Sequence, residues 1–185
     1  AALYGYMKVP YERRFIQGAK SASEPSDEAA VMAVSREVAR RIDPDYLYIL
    51  GPGTTLRAIG REMGVEKTLL GVDLYRGGEI IDRDVTAACV EEAARGHEGS
   101  TVIVVTPIGG QGHIFGRGNQ QISPAAIRSV GRDAVMVVAA TTKLAALRGR
   151  PLLVDTGDPE VDDLLSGYIR VVTGLNMESV YRVSA

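Results

Sequence analysis

Two glycine-rich segments carry residue types suited to binding phosphate groups, and each follows an apolar run of strand length. The first, residues 51–55, reads Gly-Pro-Gly-Thr-Thr and precedes a stretch with helical spacing. In such a strand-to-helix turn, backbone N–H groups and the positive end of the helix dipole point at a bound anion. Gly51 and Gly53 permit close approach of a ligand, and the hydroxyls of Thr54 and Thr55 add donors. An ordinary tight turn with a threonine cap explains the same residues equally well.

The second segment, residues 106–121, is longer and contains five glycines together with amide side chains and one arginine. Loops of this length without secondary structure are uncommon unless they bind something, although a flexible surface loop is the alternative. Amides read hydrogen-bonding edges, and arginine forms two parallel hydrogen bonds with phosphate. The phosphate- or nucleotide-binding residues that we predict in the two segments are Gly51, Gly53, Thr54, Thr55, Thr106, Gly109, Gly110, Gln111, Gly112, Arg117, Gly118, Asn119 and Gln120.

Two aspartates, Asp73 and Asp155, follow the apolar runs 69–72 and 152–154 and are the candidates for catalytic residues. Ligands of an open parallel sheet bind beyond the carboxyl ends of its strands. An aspartate there can hold a ribose hydroxyl, position a magnesium ion or act as a general base. Capping of the next turn is the alternative for each of them. Lys143 at another strand end is a further candidate for a phosphate contact, with a solvated helix start as the alternative. His113 can titrate near neutrality, although a spacer role explains it equally well.

The elements that position these residues alternate between strands and helices. The predicted strands are 46–50, 69–74, 101–106, 135–139 and 152–155, with a closing pair at 168–173 and 179–183. The predicted helices are a long one between Ser26 and Pro44, then 55–63, 85–95, a short one opened by Ser123-Pro124, 143–147 and 159–165. Buried β-branched runs that alternate with helices imply crossover connections. We therefore predict an α/β fold, a mainly parallel open sheet flanked by helices (Rossmann-like) with a closing β pair at the C-terminus. An extended segment over 1–25 precedes a single domain over 26–185.

Composition excludes several classes of protein. The 185 residues are 45% hydrophobic and 24% charged, as in globular domains. The net charge of −2 argues against a nucleic-acid partner. The apolar runs are far shorter than the roughly 20 residues that cross a bilayer, so we expect no membrane partner. The single cysteine, Cys89, and only two histidines argue against a zinc site and for a reducing, cytoplasmic location.

Five stretches of the chain resemble the C-terminal portion of the ATP-NAD kinase-like family, in its branch of predicted polyphosphate- or ATP-dependent NAD kinases. They are residues 48–55, 69–73, 105–112, 115–124 and 151–158, and the similarity extends from about 4 to 183. The resemblance implies a kinase that transfers a phosphoryl group from ATP or polyphosphate, with Mg²⁺, to the 2′-hydroxyl of NAD and so forms NADP.

The chain departs from this family in two respects. The Gly-Gly-Asp-Gly-Thr signature of the family is absent from the 185 residues, and the resemblance places it in an N-terminal kinase domain. Well-described family members also have a C-terminal domain built mostly of strands, so no NAD-contacting residues are transferred from them.

The partners that we expect are a small nucleotide ligand, the N-terminal kinase domain and further copies of the chain in a homo-oligomer. The chain alone is expected to bind ligand without catalysing the reaction. Two alternatives stay open: a nucleotide- or sugar-phosphate-sensing module without catalysis, and a related kinase with a different small-molecule acceptor.

Overall fold

The computed structural model describes residues 25–185. The helices in that range are α1 (Pro25–Arg41), α2 (Thr54–Glu62), α3 (Ala87–Gly96), α4 (Pro124–Val130), α5 (Thr141–Ala145) and α6 (Pro159–Leu165). The strands are β1 (Leu47–Leu50), β2 (Asp73–Arg76), β3 (Glu79–Asp82), β4 (Thr101–Val105), β5 (His113–Phe115), β6 (Val135–Val138), β7 (Leu152–Val154), β8 (Gly167–Gly174) and β9 (Met177–Ser184). The extended segment predicted over 1–25 lies outside the described residues, apart from Pro25, which begins α1. None of the helices between residues 25 and 185 is long and apolar enough to cross a membrane.

All nine described strands form one sheet in the order β3-β2-β1-β4-β6-β8-β9-β7-β5. The pairs β1–β4, β4–β6 and β6–β8 are parallel, as are β9–β7 and β7–β5. The pairs β1–β2, β2–β3 and β8–β9 are antiparallel. The predicted α/β class, with a mostly parallel sheet and a closing C-terminal pair, is therefore confirmed.

The hairpin formed by β8 and β9 reverses the direction of the sheet. Strands β1, β4, β6 and β8 run one way, whereas β9, β7 and β5 run the other way. The carboxyl ends of the first group therefore lie at one edge of the sheet, and those of the second group lie at the opposite edge. Because ligand sites of parallel sheets lie at carboxyl ends, this reversal decides which predicted residues come together.

Side chains along the central strands alternate between two cores. Leu47 and Ile49 of β1 belong to the larger core, which includes residues of α3, α4 and α6. Tyr48 and Leu50 belong to the smaller core, which includes residues of α1 and α2. This two-residue period is what a strand buried on both faces requires. Helices consequently cover both faces of the sheet.

A buried glutamate fastens the first helix to the last hairpin. Glu37 of α1 is only 2% exposed, and its carboxylate accepts a hydrogen bond of 3.0 Å from the backbone N–H of Asn176 in the β8–β9 turn. Arg41 donates to the other carboxylate oxygen at 2.8 Å. The Asn176 N–H and the Arg41 guanidinium lower the pKa of Glu37. The pattern of α1 gave no indication of this contact.

The predicted strand over 69–74 is wrong in its position. Residues 69–71 form bends, Leu70 is 79% exposed, and strand β2 begins only at Asp73. The short strands β3 and β5 were not predicted. Strand β2 turns into β3 through Gly77 and Gly78, whose φ angles of 61° and 95° suit a tight hairpin turn.

Candidate functional site

The turn after β1 packs closely against the end of β4. Gly53 has φ 121° and ψ 161°, a backbone conformation that is essentially restricted to glycine. Its N–H donates to the carbonyl of Leu69 at 2.8 Å. A Cβ at Gly53 would lie 3.1 Å from Cγ2 of Thr106, the residue that follows β4. The turn therefore has a fixed shape and borders the neighbouring strand end.

Helix α2 begins in this turn without a side-chain cap. Gly53 is the N-cap residue and supplies no side-chain cap to the first turn of the helix. The N–H groups of Thr54, Thr55 and Leu56 have no acceptor within a helix that begins there. Thr54 is exposed, whereas Thr55 is buried. Backbone donors and the positive end of the helix dipole are thus available to an anion at this point.

A lysine from the next crossover reaches the same strand ends. Lys143 lies in α5, directly after β6, and its ammonium donates to the hydroxyl of Thr106 at 3.2 Å. Strands β1, β4 and β6 are consecutive and parallel, so their carboxyl ends lie side by side. We call the group at these three ends the strand-end cradle; its members are Gly51, Gly53, Thr54, Thr55, Thr106 and Lys143. It combines helix N–H groups, hydroxyls and a cation, which are the donors that phosphate binding uses.

A buried ion pair supports the cradle from the side. Asp73 accepts hydrogen bonds from the N–H and hydroxyl of Thr68 at 2.7 and 2.6 Å, and from the N–H of Asp84 at 2.9 Å. The Lys67 ammonium lies 3.7 Å from the Asp73 carboxylate, and both side chains are fully buried. Burial alone raises the pKa of Asp73, but the donors from Thr68 and Asp84 and the Lys67 charge outweigh it, so the net shift is downward. This network fixes the 67–72 loop, and the Leu69 carbonyl of that loop accepts the hydrogen bond from the Gly53 N–H.

Asp73 lies at this edge of the sheet for a different reason from the one predicted. It was expected to follow a strand, but it begins β2. Because β2 is antiparallel to β1, its first residue pairs with Leu50 and lies beside the carboxyl end of β1. The expected edge of the sheet is therefore correct, although the reason for it was wrong. A catalytic role for Asp73 stays a prediction.

The second glycine-rich segment is folded, so the prediction of a long loop without secondary structure is wrong. Ile108 and His113 form an antiparallel bridge, with an N–H to carbonyl distance of 2.7 Å. Arg150 donates to the carbonyl of Gly110 at 2.8 Å, and the carbonyl of Gly112 accepts from Leu153 at 3.0 Å. The tip of this turn, with Gly109, Gly110 and Gln111, is exposed. Strand β5 then follows directly.

The predicted residues Arg117 and Asp155 meet at the ends of β5 and β7. Nε of Arg117 lies 3.2 Å from Oδ2 of Asp155, and the two side chains are 63% and 52% exposed. Gly116 (φ 91°) has no room for a side chain, since a Cβ would lie 1.7 Å from the Asp155 carbonyl oxygen. Strands β5 and β7 run opposite to β1, β4 and β6. The structure therefore divides the predicted site into the strand-end cradle and a separate Arg117–Asp155 pair.

The predicted residues 118–120 lie next to this pair in the sequence. Asn119 is fully buried and donates to the carbonyl of Ile114 at 2.8 Å, while Gly118 and Gln120 are exposed. His113 is also buried, and burial together with the nearby Arg117 charge lowers its pKa. Both effects favour the neutral form of the His113 imidazole.

Sequence reasoning missed two buried polar residues near these strand ends, Lys67 and Thr173. Lys67 stands in a polar turn with no recognisable motif, and Thr173 was assigned only to a strand. Thr173 is 4% exposed, lies in β8 beside the end of β6, and its hydroxyl has no hydrogen-bond partner within residues 25–185. No signal in the sequence identified either residue, because their burial depends on tertiary packing.

The fold and the geometry of the strand ends are those of open α/β domains, whose ligands bind beyond the carboxyl ends of parallel strands. A family model described as the ATP-NAD kinase C-terminal domain matches residues 44–183. The chain belongs to this family, and the membership supports an NAD kinase-like role, as the sequence resemblance implied. The comparisons with curated proteins and with solved structures gave no match.

Proposed function

We propose that the chain is the ligand-binding C-terminal domain of a phosphotransferase that makes NADP. In this reaction the 2′-hydroxyl oxygen of NAD forms a bond to the terminal phosphorus of ATP or inorganic polyphosphate. The bond to the leaving phosphate breaks, and the hydroxyl proton is released. Positioning and charge neutralisation dominate such transfers. The observation that carries the proposal is the Lys143–Thr106 contact of 3.2 Å at the strand ends that also hold the Gly53 turn.

We assign the phosphate groups of the nucleotide to the strand-end cradle. The N–H groups of Thr54 and Thr55 and the Lys143 ammonium supply donors, and Gly51 and Gly53 let the turn pack closely against the end of β4. Arg117 is proposed as a separate phosphate contact. Asp155 engages its Nε, which leaves the two terminal amino groups of the guanidinium for a ligand. Gly118, Asn119 and Gln120 are proposed to shape and line this second region. Gly109, Gly110, Gln111 and Gly112 precede β5, which runs opposite to β4, so they are proposed to line the edge of the sheet that holds the strand-end cradle.

Residues 25–185 contain no carboxylate cluster that would hold a magnesium ion without the help of a bound phosphate. No group of three or more potential ligands from His, Cys, Asp and Glu side chains gathers in that part of the chain. The oxygens of Asp73 are occupied by Thr68 and Asp84, and Asp155 is paired with Arg117. We therefore derive no step through a protein-held magnesium ion, and Mg²⁺ carried by the donor phosphates stays a prediction.

The proposed partners complete the reaction. An N-terminal kinase domain would supply the Gly-Gly-Asp-Gly-Thr loop, which the 185 residues lack, and assembly as a homo-oligomer stays a proposal. The chain by itself would bind nucleotide without forming NADP. A cytoplasmic location is proposed because a single cysteine suits a reducing compartment.

Calorimetric titration of the chain with ATP, NAD and NADP tests this proposal. Lys143→Gln should weaken binding of the phosphorylated ligands about ten- to hundredfold, since a charge-assisted hydrogen bond contributes about 1.5–3 kcal/mol. Arg95→Gln is the matched control, because Arg95 is an exposed cation on α3, remote in sequence from the cradle.

Three outcomes would contradict the proposal. The first is the absence of binding to all three nucleotides, and the second is an unchanged affinity in Lys143→Gln. The third is equal affinity for simple sugar phosphates, which would favour a sensing module. NADP formation by the chain alone, with ATP and magnesium, would contradict its dependence on an N-terminal domain.

A further inference from the structure

A basic cavity of about 310 Å³ lies between α2 and the residues after β3. It is distinct from the strand-end cradle, with which it shares no residue. Four cationic residues line it, Arg57, Arg61, Lys67 and Arg83, against a single acidic one, Glu66. The proposed function does not use these cations.

The two arginines of α2 carry uncompensated charge. Arg57 and Arg61 are four residues apart, so they are neighbours on one helix face, where like charges destabilise the helix. Neither has a carboxylate partner within residues 25–185, whereas the arginines of α1 at 36, 40 and 41 each pair with a glutamate. Arg57 is also half-buried, which makes an unpaired charge more costly. The helix therefore carries a repulsion that a bound anion would relieve.

The other lining charges are compensated to different degrees. The Lys67 ammonium is fully buried, pairs with the Asp73 carboxylate at 3.7 Å and donates to the carbonyls of Thr68 and Gly71 at 2.9 Å, so it adds little to the positive field of the arginines. Glu66 offers little compensation, because its side chain is 90% exposed and lies 3.8 Å from Arg83. A multivalent anion can displace Glu66 from this long, exposed ion pair with Arg83.

We infer that this cavity is a second anion site and that it binds a short chain of phosphoryl groups. Guanidinium groups match phosphate oxygens in pairs, and Cβ atoms of residues four apart on a helix are about 5–6 Å apart, which suits adjacent phosphates rather than one. Arg57 and Arg61 contact the chain from one wall, and Arg83 contacts it from the other. Free inorganic polyphosphate and the triphosphate tail of a nucleotide share this chemistry. The inference goes beyond the proposed function, because none of these arginines belongs to the proposed nucleotide site.

Calorimetric titration with inorganic tripolyphosphate tests the second site. The double variant Arg57→Gln/Arg61→Gln should lose one binding event or weaken it at least tenfold, whereas Arg95→Gln should bind as the unaltered chain does. Lys143→Gln should keep this event, because Lys143 lies in the strand-end cradle. Raising the salt concentration should weaken the event in the unaltered chain.

Parallel titrations with ATP and AMP distinguish the two sources of the phosphate chain. Loss of part of the ATP binding in the double variant, with AMP unaffected, supports a nucleotide tail. Tripolyphosphate binding without any effect on ATP supports free polyphosphate. The inference is overturned if tripolyphosphate does not bind, if the double variant titrates like the unaltered chain, or if Lys143→Gln removes all binding.

Thermal unfolding shows whether the double variant is folded. Its midpoint without ligand should equal or exceed that of the unaltered chain, because glutamine is a good helix former and the repulsion is gone. A lowered midpoint would make Arg83→Gln, which lies outside any helix, the deciding variant. It should weaken tripolyphosphate binding at least threefold, and unchanged affinity there would overturn the inference.

Discussion

The importance of the Gly53 conformation in the strand-end cradle can be tested by adding a single methyl group to this residue. We predict that Gly53→Ala lowers both the stability of the domain and its affinity for ATP and NADP. With φ 121° and ψ 161°, the residue occupies a backbone region that side chains rarely tolerate. The added Cβ would also lie 3.1 Å from Cγ2 of Thr106, so the threonine would have to move by a few tenths of an ångström.

The magnitude follows from the backbone strain. A non-glycine residue in such a region costs about 1–3 kcal/mol. For a domain of this size, each kcal/mol lowers the midpoint of thermal unfolding by about 2–4 °C. The expected decrease is therefore roughly 2–12 °C. If the turn relaxes instead, the Gly53 N–H leaves the Leu69 carbonyl, the first turn of α2 shifts, and nucleotide affinity should fall at least tenfold.

Differential scanning calorimetry measures the first effect and titration calorimetry the second. Gly64→Ala is the matched control. Gly64 follows the other end of α2 at φ 74°, where a Cβ meets nothing within 4 Å. This control should lose stability through the same kind of strain while keeping its nucleotide affinity. The reasoning is refuted if Gly53→Ala keeps both its midpoint and its affinity, or if the control loses affinity to the same extent.

Three further predictions concern charged and titratable residues. Asp73→Ala should cost about 3–5 kcal/mol in urea unfolding at pH 7, because it leaves the buried Lys67 ammonium without its partner. Since the folded-state pKa of Asp73 is lowered, its contribution should be lost as the pH falls below its ordinary value of 3.8; a loss under 1 kcal/mol would contradict this prediction. Because the pKa of His113 is lowered in the folded state, the unfolded chain takes up a proton more readily below pH 6.5, so stability should fall from pH 7 to 5, and less so in His113→Gln; identical pH profiles would argue against it. Arg117→Ala should weaken nucleotide binding about tenfold while changing stability by under about 1 kcal/mol, because its ion pair is exposed. Arg117→Lys should restore part of that affinity, and equal affinities in all three proteins would exclude Arg117 from the site.

Local signals predicted most of the elements from the sequence. Ser123 and Asp158 cap α4 and α6 with a proline in the first turn, as their motifs indicated. The β-branched runs of β4 and β6 are buried and parallel. The turn at residues 51–55 was placed correctly between a strand and a helix.

The errors come from interactions between distant residues. The run 69–74 resembled a buried strand, but Leu69 and Leu70 lie in bends. The hydrogen bonds of Asp73, which were not foreseen, fix the position of β2. The Gly77-Gly78 pair was a recognisable hairpin signal that was not used. Strand β5 has only three residues and forms through pairing with β7. Local sequence patterns do not indicate that the strands reverse direction at β8–β9. Arg117 and Asp155 were therefore expected at the same edge of the sheet as the Gly53 turn.

The contact between Glu37 and Asn176 joins residues 139 positions apart, and this separation bears on how the chain is made. The Glu37 carboxylate in α1 obtains its backbone donor only after the β8–β9 turn has been synthesised. Val34 and Val38 of α1 share a core with Leu56 and Ile59 of α2 and also with Val172 of β8, so that core is completed only at the end of the chain. Contacts between such distant residues slow folding, and exposed apolar surface favours aggregation in the meantime. Premature termination just before that hairpin would therefore leave the Glu37 carboxylate without its backbone donor and this core without Val172.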